Sequence, residues 1–90
     1  MIQNKEEVIQ QLHRLLLEND KLNIIELISD YQPADIAEIL TELEDGDRGT
    51  FFRLLSRDTA AMVLEMLDES VILSLVETLN PKYLAGVIDE

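Results

Sequence analysis

The 90-residue chain contains no cysteine, and this absence excludes several kinds of site. Without thiols it can form no disulfide, no thiolate zinc site and no cysteine nucleophile, which fits a reducing cytosol. Basic residues are also scarce, because seven Lys and Arg stand against nineteen Asp and Glu for a formal net charge of −12. Binding to nucleic acid or to an anionic membrane surface needs clustered Lys and Arg, so we expect neither.

Long apolar runs are missing as well. No stretch approaches the ~20 consecutive apolar residues of a transmembrane helix, so we expect no direct membrane insertion by this segment, and its start lacks a signal-peptide layout. The apolar fraction is nevertheless 47%, which is ordinary for a folded protein. Composition and length therefore predict a single acidic domain that spans residues 1–90.

The apolar residues repeat every twelve positions. Four columns follow this spacing: Leu12, Ile24, Ile36, Arg48, Ala60, Ile72 and Leu84; Leu15, Leu27, Ile39, Phe51, Val63, Leu75 and Val87; Leu16, Ile28, Leu40, Phe52, Leu64, Val76 and Ile88; and Asn19, Tyr31, Leu43, Leu55, Leu67 and Leu79. All of them except Arg48 and Asn19 are apolar. Within one unit the columns fall at i, i+3, i+4 and i+7, which is one face of an α-helix.

The repeat predicts an all-α fold of about seven short helices. We place them at roughly 5–19, 21–31, 33–44, 47–55, 57–67, 69–79 and 81–90. Four residues can cap the helix that follows them, and two prolines stand just inside helix starts. These residues are Asp20, Ser56, Asp68 and Asn80, and Pro33 and Pro81. Gly46 and Gly49 mark the least regular junction, before the fourth helix.

Helices this short are unstable alone in water, so each must cover its apolar stripe with its neighbours. We therefore expect the units to stack into a superhelix, an α-solenoid with a 12/24-residue repeat. The last unit stops at Glu90, one residue before its fourth column would arrive. We accordingly expect the chain to be a fragment cut from a longer protein.

Residues suited to catalysis are few, and we predict that the chain is not an enzyme. The one histidine, His13, lies beside Leu12 and Leu16 and is interpreted as a partly buried or boundary histidine. Three glycines cannot build a phosphate-binding loop, and the common hydrolase, metalloprotease and nucleotide-binding motifs are missing.

The densest group of acids, here called the acidic cluster, lies between the third and fourth helices. It consists of Glu42, Glu44, Asp45 and Asp47. A solvated turn with helix-capping acids is the simpler interpretation, and a weak cation site completed by another domain is the alternative. Arg48 occupies a core column and should pair with a nearby acid. Met62 and Met66 are expected to fill the core or a groove.

Three segments resemble the N-terminal domain of MgtE-type magnesium transporters. They are Tyr31-Gln-Pro-Ala-Asp-Ile-Ala-Glu-Ile-Leu-Thr-Glu-Leu43, Phe51-Phe-Arg-Leu-Leu55 and Ala60-Ala-Met-Val-Leu-Glu-Met-Leu67, followed by the junction Leu79-Asn80-Pro81. The resemblance covers about residues 22–90. A related superhelical repeat occurs in the flagellar motor switch protein FliG, which supplies the competing interpretation.

The resemblance implies a right-handed superhelix on the cytoplasmic side of the cell membrane, as the soluble domain of an integral membrane protein. In the family this domain precedes a tandem CBS domain, a connecting helix and a dimeric pore. Mg²⁺ between acidic surfaces of the N-terminal and CBS domains is thought to favour a compact, closed state. The expected partners are thus the CBS domain of the same chain and a second transporter subunit.

One departure from the family pattern concerns the metal. The family's "A-A-E-V-L" unit can offer a glutamate to the interface, where this chain has Met62, and further family acids would begin beyond Glu90. We therefore assign no catalytic, cofactor-binding or metal-ligating residue, and expect Mg²⁺ only at an interdomain surface of the full-length protein. The resemblance implies a cytosolic regulatory domain that contributes to Mg²⁺-dependent gating. The alternative is a FliG-like helical scaffold that binds a protein partner without sensing ions.

Overall fold

A computed structural model describes residues 4–79, 82, 86 and 87, and in this part of the chain the fold is all-helical. Six α-helices follow one another without strands between them: α1 (Lys5–Leu17), α2 (Lys21–Ile28), α3 (Pro33–Glu42), α4 (Asp45–Phe52), α5 (Arg57–Met66) and α6 (Glu69–Thr78). The all-α prediction is confirmed. The seventh predicted helix, 81–90, lies outside the described residues except for Lys82, Gly86 and Val87, which are helical.

The apolar columns form the core, as the repeat predicts. Ile39, Phe51, Val63 and Leu75 belong to one column, and all four are fully buried. Leu12, Ile24 and Ile36 start another column and are likewise buried. Val76 is the main exception, because it is 51% exposed on α6 although its column is buried in α2, α3 and α4.

Each helix ends one to three residues earlier than predicted, and α4 begins at Asp45 rather than 47, so that it contains both Gly46 and Gly49. The early ends of α3, α5 and α6 have a common cause. The fourth-column leucines Leu43, Leu67 and Leu79 lie just past the helices in extended backbone conformation, yet they remain buried. These leucines therefore close the turns between units rather than extend the helices.

Helix starts follow the predicted capping chemistry in part. The side chain of Asp20 accepts a hydrogen bond from the backbone N–H of Asn23, and that of Ser56 from the N–H of Thr59. Asp68 stands at the start of α6, but its side chain makes no capping hydrogen bond, so this prediction is wrong. Asn80 and Pro81 lie outside the described residues.

Asn19 interrupts its apolar column because the turn after α1 needs a left-handed residue. Its φ is +56°, a conformation that asparagine tolerates better than branched or bulky residues. The N–H groups of Asn19 and Asp20 donate to the carbonyls of Leu16 and Leu15, which is the Schellman arrangement that ends a helix. A polar residue in the column is thus explained by the local turn.

Arg48 interrupts its column because it caps the end of α3. Its guanidinium donates hydrogen bonds to the backbone oxygens of Leu40 at 2.7 Å, Leu43 at 2.8 Å and Thr41 at 3.2 Å. It also pairs with Asp45 at 3.1 Å, which confirms the predicted acidic partner. The last carbonyls of a helix lack intrahelical partners, so one arginine fork here satisfies three of them.

Helices two positions apart pack against each other, as a 24-residue offset would produce. α3 packs on α5, α4 on α6 and α1 on α3, while α1 also contacts α2 and α4. The radius of gyration is 12.1 Å, close to the roughly 12 Å of a compact domain of this length. The superhelical arrangement itself stays a prediction.

Substitution of Arg48 tests its capping role. We expect Arg48→Met to lower the free energy of unfolding by about 1–3 kcal/mol, because methionine restores the apolar column but leaves carbonyls of α3 unsatisfied. Urea denaturation measures the change. Arg14→Met, at an exposed position on α1, is the matched control and should change stability by no more than about 0.5 kcal/mol. Equal stability of Arg48→Met and wild type would contradict the capping role.

The two glycines of α4 should respond to substitution by alanine with opposite changes in stability. A Cβ at Gly49 would lie 2.9 Å from Oγ1 of Thr78 on α6, whereas a Cβ at Gly46 meets nothing within 4 Å. We expect Gly49→Ala to destabilise the fold by about 1–3 kcal/mol through overpacking, and Gly46→Ala to stabilise it by about 0.5 kcal/mol through helix propensity. Thermal unfolding of both variants would show this. Equal effects would mean that α4 and α6 do not approach each other closely.

Candidate functional site

The acidic cluster between α3 and α4 is largely paired with partners from this chain. One carboxylate oxygen of Asp45 accepts hydrogen bonds from Arg48 at 3.1 Å and from the hydroxyl of Ser74 at 3.0 Å. The Ser74 contact ties α6 to the start of α4. Asp45 is therefore engaged in holding the fold.

Helix α1 supplies basic side chains as partners for two other members of the cluster. Lys5 forms an ion pair with Glu42 at 3.5 Å, and Nδ1 of His13 lies 2.5 Å from a carboxylate oxygen of Asp47. Within the described residues, no group of three or more His, Asp or Glu is arranged to hold a metal ion. The cation-site alternative for this cluster therefore receives no support from the geometry.

His13 is more exposed than predicted, with 48% of its side chain accessible. It projects from α1 toward α4 instead of lying against the apolar face. The hydrogen bond to Asp47 raises its pKa above the ordinary value of 6.5, and the negative charges of Asp47 and Glu44 act in the same direction. The contact between His13 and Asp47, here called the tie, therefore links α1 to α4 more strongly when the histidine is protonated.

Two acids outside the cluster face a common groove between α3 and the turn that leads from α5 into α6, here called the α3/α6 groove. It has a volume of about 220 Å³, and Glu38, Thr41, Met66 and Asp68 line it together with two alanines of α3. No lysine or arginine is among its lining residues. Both carboxylates are exposed, and the side chain of Asp68 makes no capping hydrogen bond to α6. The groove therefore presents two carboxylates and a hydroxyl with no cationic side chain between them.

Sequence reasoning missed this groove because its two acids are thirty positions apart. The signal that could have found it is the 24-residue offset, which places α3 beside α5 and so brings the start of α6 near the middle of α3. The predicted core role of Met62 and Met66 is wrong, since they are 45% and 53% exposed. They line two different grooves, so the alternative expectation of a groove is confirmed.

The groove supplies two of the carboxylate ligands that a divalent cation needs, and within the described residues no third acid or histidine completes the set. Mg²⁺ commonly takes one or two protein carboxylates and keeps several water molecules. Glu38 and Asp68 could contribute such ligands, while the remaining positions would be filled by water or by a facing surface.

Comparison with known proteins identifies one family. A model of the MgtE intracellular N domain matches residues 31–90, a range that begins just before α3 and leaves α1 and α2 outside it. No curated protein and no solved structure matches the chain significantly. No helix in the described part of the chain has both the length and the apolar character needed to cross a membrane.

The tie between His13 and Asp47 predicts a pH-dependent contribution to stability. Because folding raises the pKa of His13, the contribution is fully present below the unfolded pKa of about 6.5 and is lost as pH rises through the higher folded pKa. We expect His13→Gln to destabilise the chain at about pH 5.5 and to have little effect at about pH 9. Urea denaturation at the two pH values measures this difference.

A matched variant isolates the cause of the pKa shift. Asp47→Asn removes the charge but keeps a hydrogen-bond acceptor, so the pKa of His13 should fall back toward its ordinary value in an NMR titration. A wild-type pKa at or below about 6.5 would contradict the assigned tie.

Proposed function

The chain belongs to the MgtE intracellular N domain family, and on this premise we propose that it is a regulatory domain of a magnesium transporter. In this proposal the domain lies on the cytoplasmic side of the cell membrane and neither conducts ions nor catalyses a reaction. It packs against a CBS domain of the same protein, within a homodimeric transporter. The observation that carries the proposal is the family match over residues 31–90.

The physical basis of regulation is charge repulsion between domains. A chain of net charge −12 is repelled by another acidic surface, and the repulsion grows as the two approach. A divalent cation bound between them converts repulsion into bridging. Because the ion binds the packed arrangement better than the separated one, a rise in Mg²⁺ shifts the population toward the packed state.

The α3/α6 groove is the part of this domain best suited to such bridging. Glu38 and Asp68 are exposed and share a groove without a cationic lining residue, whereas three acids of the acidic cluster already have partners. Two carboxylates alone bind Mg²⁺ poorly, because the ion gives up its water shell reluctantly. Full affinity would arise only when the CBS surface completes the site, which is what a gating equilibrium requires.

The FliG-like scaffold without ion sensing is not favoured by the family match. It also differs from the proposed function in a measurable way, since a scaffold has no reason to respond to divalent cations. The two hypotheses are therefore separated by the dependence of domain packing on Mg²⁺.

Solution scattering on a longer chain that includes the CBS domain tests the proposal. We expect the radius of gyration to fall as Mg²⁺ rises through the millimolar range. The double variant Glu38→Gln/Asp68→Asn should need at least about tenfold more Mg²⁺ for the same compaction, because it removes both carboxylates of the α3/α6 groove. An unchanged radius in wild type would contradict the sensing role.

A matched control uses two acids that already have partners. Glu42→Gln/Asp47→Asn removes the same two charges, but Glu42 pairs with Lys5 and Asp47 with His13, outside the α3/α6 groove. Its compaction curve should stay close to that of wild type. A shift as large as that of the double variant in the α3/α6 groove would mean that total charge, rather than this groove, sets the Mg²⁺ response.

A further inference from the structure

A second groove, here called the apolar groove, lies between α2, the start of α3 and the α4–α5 junction. Its volume is about 350 Å³. The walls include Ile25 and Ile28 of α2, Tyr31, Leu54 and Met62. It is separate from the α3/α6 groove and shares no lining residue with it.

The chemistry of the apolar groove differs from that of the rest of the surface. None of its lining residues is charged, although 29% of the chain is. Ile25 and Met62 are 48% and 45% exposed on its walls, and Leu22, one turn before Ile25, is 82% exposed. Such side chains gain free energy when covered, and methionine adapts its shape to a partner. The combination is typical of a site for an apolar helix face.

The charges around the groove indicate the character of its occupant. Four exposed acids adjoin a lining residue in sequence or by one helical turn, namely Glu26, Asp30, Asp58 and Glu65. Three exposed cations meet the same criterion, namely Lys21, Arg53 and Arg57, and both arginines already interact within the chain. Acids are therefore in slight excess at the rim, within a chain that is strongly acidic as a whole.

We propose that the apolar groove binds a basic amphipathic helix, whose aliphatic stripe covers Ile25 and Met62 while its Lys and Arg face the acidic rim. Apolar residues at i, i+3, i+4 and i+7 of the partner fill the groove, and its flanking cations speed association and fix orientation. A second copy of this chain is a poorer occupant, because two chains of charge −12 repel each other. The proposal does not depend on Mg²⁺ regulation.

NMR with the isotope-labelled chain and three synthetic helical peptides tests the proposal. The first peptide has about four turns, with Leu at i, i+3, i+4 and i+7 and Lys elsewhere. The second replaces each Lys by Glu, and the third shuffles the first so that no stripe forms. We expect the first peptide to shift the amides of residues 25–31 and 56–62, and the other two to bind at least about tenfold more weakly.

Surface variants show whether the apolar groove itself is responsible. Ile25→Ser and Met62→Ser change exposed side chains and should each weaken binding at least about fivefold. Leu73→Ser is the matched control, because Leu73 is 56% exposed on α6 and does not line the groove. The double variant Glu26→Gln/Asp58→Asn should weaken binding of the Lys peptide, and it leaves the apolar lining unchanged. This variant keeps the test valid if a substitution in the groove unfolds the chain.

Three results would overturn the proposal. Equal binding of the striped and shuffled peptides would reveal general charge attraction, and equal binding of the Lys and Glu peptides would exclude a basic partner. Concentration-dependent shifts of the same groove amides without peptide, lost in Met62→Ser, would assign the groove to a second copy of this chain.

Discussion

The structure depends on one constraint, namely that helices of eight to thirteen residues cannot stand alone in water and must share their apolar stripes. A twelve-residue repeat meets it by returning the same face to the core in every unit. One column shows the result, because all four of its described residues in α3 to α6 are fully buried: Ile39, Phe51, Val63 and Leu75. No polar or charged residue is buried among those the structure describes, so the core is held by apolar packing alone.

Polar residues stabilise the turns between the helices. The acids that do not take part in these contacts are the ones on which the proposed function depends. Arg48 interrupts its apolar column and donates hydrogen bonds to backbone carbonyls at the end of α3. Asn19 interrupts its column because it adopts the left-handed conformation of the turn after α1. Lys5, His13 and Arg48 engage three members of the acidic cluster, so those carboxylates serve the fold. In the proposed function, the acids of the α3/α6 groove face an approaching domain. The availability of a carboxylate for a cation therefore depends on whether it already has a partner, and the net charge of the chain does not show this.

The sequence was sufficient for the helices and the core, but not for the site. The columns anticipated nearly all buried residues, because burial follows helical periodicity within each unit. The ends of α3, α5 and α6 were missed because Leu43, Leu67 and Leu79 stay buried in extended turns, where periodicity cannot distinguish them from helix. The close approach at Gly49 and the pairing of Glu38 with Asp68 in one groove depend on which helices pack side by side. That arrangement is long-range, so no local pattern reports it, and only the 24-residue offset of the repeat bears on it.

Paramagnetic Mn²⁺, which prefers the same carboxylate oxygens as Mg²⁺, tests the central claim most directly. Added in small amounts to the isotope-labelled chain, it broadens the amide signals nearest to wherever it binds. We predict preferential broadening around residues 37–41 and 66–69, beside the α3/α6 groove. Preferential broadening around residues 42–47 would show that the acidic cluster, despite its ion pairs, is the more available cation site, and would contradict the account.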